Sequence, residues 1–295
     1  MSKMRLNLYD LEVKFLKGKN VETGFNIQKS LVDILKDNCT KKRNDRKIKD
    51  EKLMKIYYLE EYDYSKNVLK LCFISAKYNS VRNVINTETL EPKGKLKSKK
   101  DGDEERTHIF IVFGNNNIDC YIEYNRDGIS KTKIQEYLNK CIQEYYKENR
   151  FFGVNLELVP SDEFLEELAK TKKLKLVKFV MDKEDLNCSE FRDMADRNYI
   201  RTDVEVIYKP TIKSTITKKT IKDYLNKKDT NKKIKRIIVE AEGENNTIRL
   251  DTEGMKKNYY LEVEIDPDTN CFSTKSAFEQ FNKEFIGDEI IEVAN

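Results

Sequence analysis

The chain has 295 residues, enough for one large domain or two ordinary ones, with 37% charged and 38% hydrophobic residues. Sixteen Tyr and fourteen Phe argue against disorder. No run approaches about 18 apolar residues and the first twenty residues hold no apolar stretch, so neither a membrane span nor a secretory signal is expected.

In chain order, 6–15 alternates as a strand. Asn26 caps a predicted helix over 26–38 whose apolar stripe is Ile27, Leu31, Ile34 and Leu35. A polar connection over 39–52 carries seven basic and three acidic residues. Aromatic and β-branched residues predict strands over 53–62 and 68–77, with 81–90 a further candidate. The segment 91–106 has a basic first half and an acidic second half, and reads as a hairpin loop. Two strands, 107–113 and 118–124, flank the turn Gly114–Asn117, where glycine and asparagine tolerate positive φ. Ser130 caps a helix over 130–149 with Ile134, Tyr137, Leu138, Cys141, Ile142 and Tyr145 inward.

Beyond Gly153 strands and helices alternate. Strands are predicted at 154–159, 174–181 and 202–208, and helices at 161–170 and 188–198. Strands at 234–241, 247–250 and 259–265 read as one antiparallel set. Phe278, Phe281 and Phe285 mark a final amphipathic helix over 273–285. The expectation is an α+β protein of two domains with mixed or antiparallel sheets and packed helices. The first spans 1–155 and the second 156–268, and a C-terminal helix in 269–295 returns to the first.

Charge is segregated. Residues 207–236 hold eleven Lys/Arg against two acids, a net +9, whereas the whole chain carries +4. Residues 237–295 hold five basic residues against fourteen acids, a net −9. A cation of that density points to a polyanion, most often nucleic acid. The candidate binding residues are Lys209, Lys213, Lys218, Lys219, Lys222, Lys227, Lys228, Lys232, Lys233, Lys235 and Arg236. A helix over 218–225 would turn Lys218, Lys219 and Lys222 to one side and Ile221 and Leu225 to another. Lysine makes point-charge phosphate contacts with little base reading, so binding should tolerate any sequence.

No catalytic or metal-binding residue and no cofactor is expected. Six cysteines, with no C-x-x-C, exclude zinc ribbons and suit free thiols in the cytoplasm. Phosphate-cradling glycine loops and the G-x-S-x-G elbow are absent. His108, the single histidine, reads as a strand-end residue. Acid-x-Lys pairs such as Glu12–Lys14 and Glu91–Lys93 carry nothing, because 52 acids and 56 bases in 295 residues give about ten by chance. Asp119 and Glu123 share one strand face and define the rival reading, a metal-dependent nuclease, although an exposed polar face is the plainer account. A third reading is a protein-interaction module.

From Thr107 onward, the runs HIFIVFGNNNIDCYIEY, VNLELVPSDEFLEELAK, LKLVKFVMD, TDVEVIYKPTIKSTITKKTIKDYL and RIIVEAEGENNTIRLDTEGM, then YYLEVEI, resemble the RexA-like phage-exclusion proteins in order and pattern. A looser similarity extends to the KwaB component of the Kiwa defence system. The resemblance implies a two-domain α+β homodimer that binds duplex DNA without strong sequence preference in phage exclusion or anti-phage defence. It implies no catalytic residues, and a membrane effector protein encoded nearby as a further partner.

Overall fold

The computed structural model describes residues 1–21, 24–79, 83–95, 97–115, 117–182, 203–211, 214, 216–219, 221, 234–242 and 247–286. The expected helix over 188–198 lies outside them. The chain forms two compact units, Met1–Leu156 with Asn258–Asn295, and Glu157–Lys257.

The first unit is built on an antiparallel sheet. Its strands are β1 (Ser2–Phe15), β2 (Ile48–Asp50), β3 (Lys55–Ser65), β4 (Val68–Lys77), β7 (Glu104–Phe113), β8 (Ile118–Glu123), β9 (Phe152–Leu158) and β14 (Asn258–Val263). The spatial order is β14-β1-β8-β7-β4-β3-β2, and β9 also pairs with β1. The β3–β4 hairpin turns through Lys66 and Asn67, both at positive φ, while Ser65 pairs with Val68. Two consecutive residues in that region twist a two-residue turn to match its flanking strands. A separate small hairpin joins β5 (Asn83–Ile85) to β6 (Pro92–Lys95), so part of the expected loop over 91–106 is extended and paired.

Helices α1 (Ile27–Thr40) and α3 (Lys131–Tyr146) cover one face of this sheet. Asn26 and Ser130 cap them by accepting from Lys29 N and Lys133 N. Tyr137 of α3 meets Phe73 edge-on at 5.0 Å. Its hydroxyl accepts from Leu59 N at 3.2 Å and donates to Asn38 Oδ1 at 2.9 Å, tying both helices to the sheet. A short helix, α2 (Arg43–Arg46), follows α1.

Helix α5 (Thr274–Phe285) covers the opposite face. Phe281 stacks flat on Phe110 at 4.0 Å and on Phe285 at 4.5 Å. Phe285 also meets Tyr121 and Tyr259. The strand expected over 259–265 is β14, and its partner is β1, with Met4 opposite Leu261. It therefore belongs to the first unit rather than to the antiparallel set of the second, which ends at Lys257 instead of 268. The period-2 pattern marks a strand and not its neighbour.

The second unit has strands β10 (Lys173–Asp182), β11 (Asp203–Tyr208), β12 (Ile234–Glu242) and β13 (Thr247–Asp251), all antiparallel in the order β11-β10-β12-β13. Helix α4 (Asp162–Lys170) starts at the Ser161 cap with two acids in its first turn, which complements the helix dipole. Phe164 and Leu168 of α4 join Val177, Phe179, Ile237, Val239 and Leu250 in one apolar core, with Ile221 fully buried in it.

Candidate functional site

Five of the eleven basic residues of this stretch are described, and they differ in their surroundings. Lys209 follows the end of β11 and is exposed, as is Lys219. Neither has an ion pair with a described residue. Arg236, in β12, is half-buried and committed to acids. Its Nε donates to Asp251 Oδ1 at 2.8 Å, its Nη2 pairs with Asp251 Oδ2, and its Nη1 lies 2.8 Å from Glu253 Oε2. The guanidinium holds the Asp251 carboxyl below the usual carboxylate range. Lys235 lies in β12 beside it. Lys213, Lys222, Lys227, Lys228, Lys232 and Lys233 lie outside the described residues.

Lys218 has a different role from the one its spacing implied. Lys218, Lys219 and Ile221 are helical, and Ile221 fills the core. Three positions apart on a helix, Lys218 and Ile221 share a face, so Lys218 is turned inward. Its ammonium donates to Ala169 O at 2.7 Å and to Thr171 O, the carbonyls at the C-terminal end of α4. Cations are stabilised there by the partial negative charge of the helix end. Lys218 therefore pins the basic segment to α4, and Lys219 is left facing solvent.

The rival pair resolves differently again. Asp119 lies in β8 and accepts from Asn117 Nδ2 at 2.9 Å. Glu123 is buried and already used. Its Oε2 accepts from His108 N at 2.9 Å and lies 2.7 Å from His108 Nδ1. His108 is not a strand-end residue. It sits inside β7, fully buried, directly opposite Cys72 of β4. Its Nε2 is 3.1 Å from Thr274 Oγ1, and that hydroxyl donates to Cys72 Sγ at 3.4 Å. A hydroxyl that donates to sulfur accepts from Nε2, and an ionised carboxylate accepts from Nδ1. Both ring nitrogens then carry protons, which is the imidazolium. Burial pulls the His108 pKa down, but hydrogen bonds to Cys72 and Glu123 and the Glu123 charge outweigh it and raise it to about 9.

Cys72, His108 and Glu123 thus stand in line across three neighbouring strands, in the order of a nucleophile, base and acid. All three are buried under the first turn of α5, whose Thr274 takes the position next to the sulfur. The arrangement can hold a proton and fasten α5. Close by, the buried Lys70 ammonium pairs with Asp63 at 2.6 Å, donates to Ser65 Oγ at 3.1 Å, and sits 5.8 Å over the Phe278 ring. Among the described residues, no group of three His, Cys, Asp or Glu is placed to hold a metal ion. Nor is any described helix long and apolar enough to cross a membrane.

Sequence reasoning missed the His108–Glu123 pair, although both residues were singled out. The signal was the hairpin register: fifteen positions apart across the Gly114 turn, they face each other on adjacent strands. It also passed over Lys172, Lys173 and Lys175, which are exposed where α4 gives way to β10. Three lysines in the five residues 171–175 were the available signal. No protein-family model matches this chain, and no curated protein matches it.

Proposed function

We propose that this chain binds duplex DNA through phosphate contacts, without reading base sequence, as a non-enzymatic sensor in phage exclusion or anti-phage defence. The observation that carries the DNA reading is the net +9 confined to residues 207–236 in a chain of net +4. Exposed Lys209 and Lys219, which have no ion pair with a described residue, support it, because an exposed ammonium is available to a phosphate. The commitment of Glu123 to His108 supports the non-enzymatic part, since it removes one carboxylate from the rival metal pair. The defence role, the homodimer and a membrane effector partner rest on the RexA-like resemblance.

The test is a mobility-shift assay on random-sequence duplexes across a salt series. Affinity should fall with salt at a logarithmic slope of about −0.9 per phosphate neutralised, so four or five contacts give a slope near −4. Scrambling the duplex sequence should change affinity little. Absence of binding at low salt, or nicking of plasmid in magnesium or manganese, overturns the reading.

A further inference from the structure

We infer that the phosphate-binding surface of the second unit lies at the end of its sheet where β10 begins, and that Lys172, Lys173 and Lys175 belong to it together with Lys209 and Lys219. This rests on the DNA reading and changes its address. Three observations place the residues together. Lys218 is bonded to Ala169 O and Thr171 O, so the helical start of the basic segment is anchored within one residue of Lys172. The register sets Tyr208 opposite Val177, so Lys209 continues β11 toward the level of Leu176 and Lys175. Lys172, Lys173, Lys175, Lys209 and Lys219 are all exposed.

Among the described residues the charge at this end is not cancelled. Lys172, Lys173, Lys209 and Lys219 have no ion pair with a described residue, and Lys175 donates to a neutral hydroxyl, Thr247 Oγ1, at 3.1 Å. Glu242 stands opposite Lys173, and Glu240 opposite Leu176. Five ammonium groups against these two carboxylates leave a positive surplus. The dipole of α4, whose negative end faces this region, is already answered by Lys218. The other end of the segment behaves oppositely. Arg236 stands opposite Val180, seven residues or roughly 23 Å along β10 from Lys173, and is neutralised by Asp251 and Glu253. Of the described basic residues, Lys209 and Lys219 therefore lie at this surface and Arg236 does not.

A duplex supplies the fitting ligand, because its phosphates present regularly spaced anions that lysines meet one by one. The experiment measures fluorescence anisotropy of the full chain on a labelled random-sequence duplex over a potassium chloride series. K172Q, K173Q and K175Q combined should weaken binding at least about tenfold and make the salt slope shallower by about 2.7, at 0.9 per lost contact. K172Q alone should make it shallower by about 0.9. R236Q should leave the slope unchanged. Thermal melting of each variant separates lost binding from lost fold, and the single variant keeps the comparison readable if the triple one is unstable. If the triple variant binds with the wild-type slope while K209Q with K219Q loses binding, the extension to 172–175 is wrong and the DNA reading stands. If the wild-type chain binds no duplex, both are wrong.

Discussion

Replacing His108 with Gln should abolish a pH dependence of stability that the wild-type chain shows between about pH 6.5 and about pH 9. The folded-state pKa of about 9 lies above the ordinary 6.5. The folded form therefore binds the proton more tightly than the unfolded form. The resulting stabilisation is fully present below about pH 6.5 and is lost as pH rises through about 9. The difference between the two values corresponds to about 3 kcal/mol. Because His108 is fully buried, solvent screening does not reduce that figure much. Urea denaturation followed by tyrosine fluorescence, from about pH 6 to about pH 9.5, reads it directly. Subtracting the H108Q curve cancels the other titrating groups. Glu123→Gln should flatten the same window, since it removes the carboxylate that holds the imidazolium. A wild-type minus H108Q difference that stays constant across the window refutes the imidazolium assignment.

Phe281→Ala removes a fully buried ring stacked on Phe110 and Phe285, and should cost about 3–5 kcal/mol in denaturant unfolding. Tyr137→Phe leaves Leu59 N and Asn38 Oδ1 unpaired in the core and should cost about 1–3 kcal/mol, with faster hydrogen exchange at Leu59. Ser161→Ala removes the cap of α4 and should lower stability by about 1 kcal/mol, measured by thermal melting. Light scattering at micromolar concentration should give the mass of two chains, and a monomer would remove the homodimer from the proposal.

Local signals in the sequence carried most of the elements. The asparagine and serine caps of α1, α3 and α4 satisfy a backbone donor three residues on, a relation fixed by spacing alone. Aromatic and β-branched runs marked β3, β4, β7 and β8 for the same reason. Gly114 shows where local rules mislead. Positive φ is not what glycine supplies there; an added Cβ would lie 2.8 Å from Asn117 Oδ1, so the demand is for space. What depends on distant parts of the chain stayed hidden. Nothing in Tyr259–Val263 announces that its neighbour is β1. Lys218 looked like a surface cation because its helix was read without the carbonyls of α4 beside it. The phenylalanines of α5 announced an apolar face but not its cover, which Phe110, Tyr121 and Tyr259 supply within the same unit.

The pairing of β1 with β14 also sets a timetable for the nascent chain. Residues 2–7 are made about 250 residues before their partners, 258–263. At about 5–20 residues per second, roughly 12 to 50 s of synthesis separate the two. Throughout that interval β1 has an open edge carrying Met4 and Leu6, both wholly buried once folding is complete. An open apolar edge is a template for another chain. The whole of Glu157–Lys257 emerges before that edge can close, so the second unit is synthesised as an interruption in the assembly of the first. Crowded polysomes, where several copies share this gap at once, are the setting in which edge-to-edge mispairing of this protein would begin.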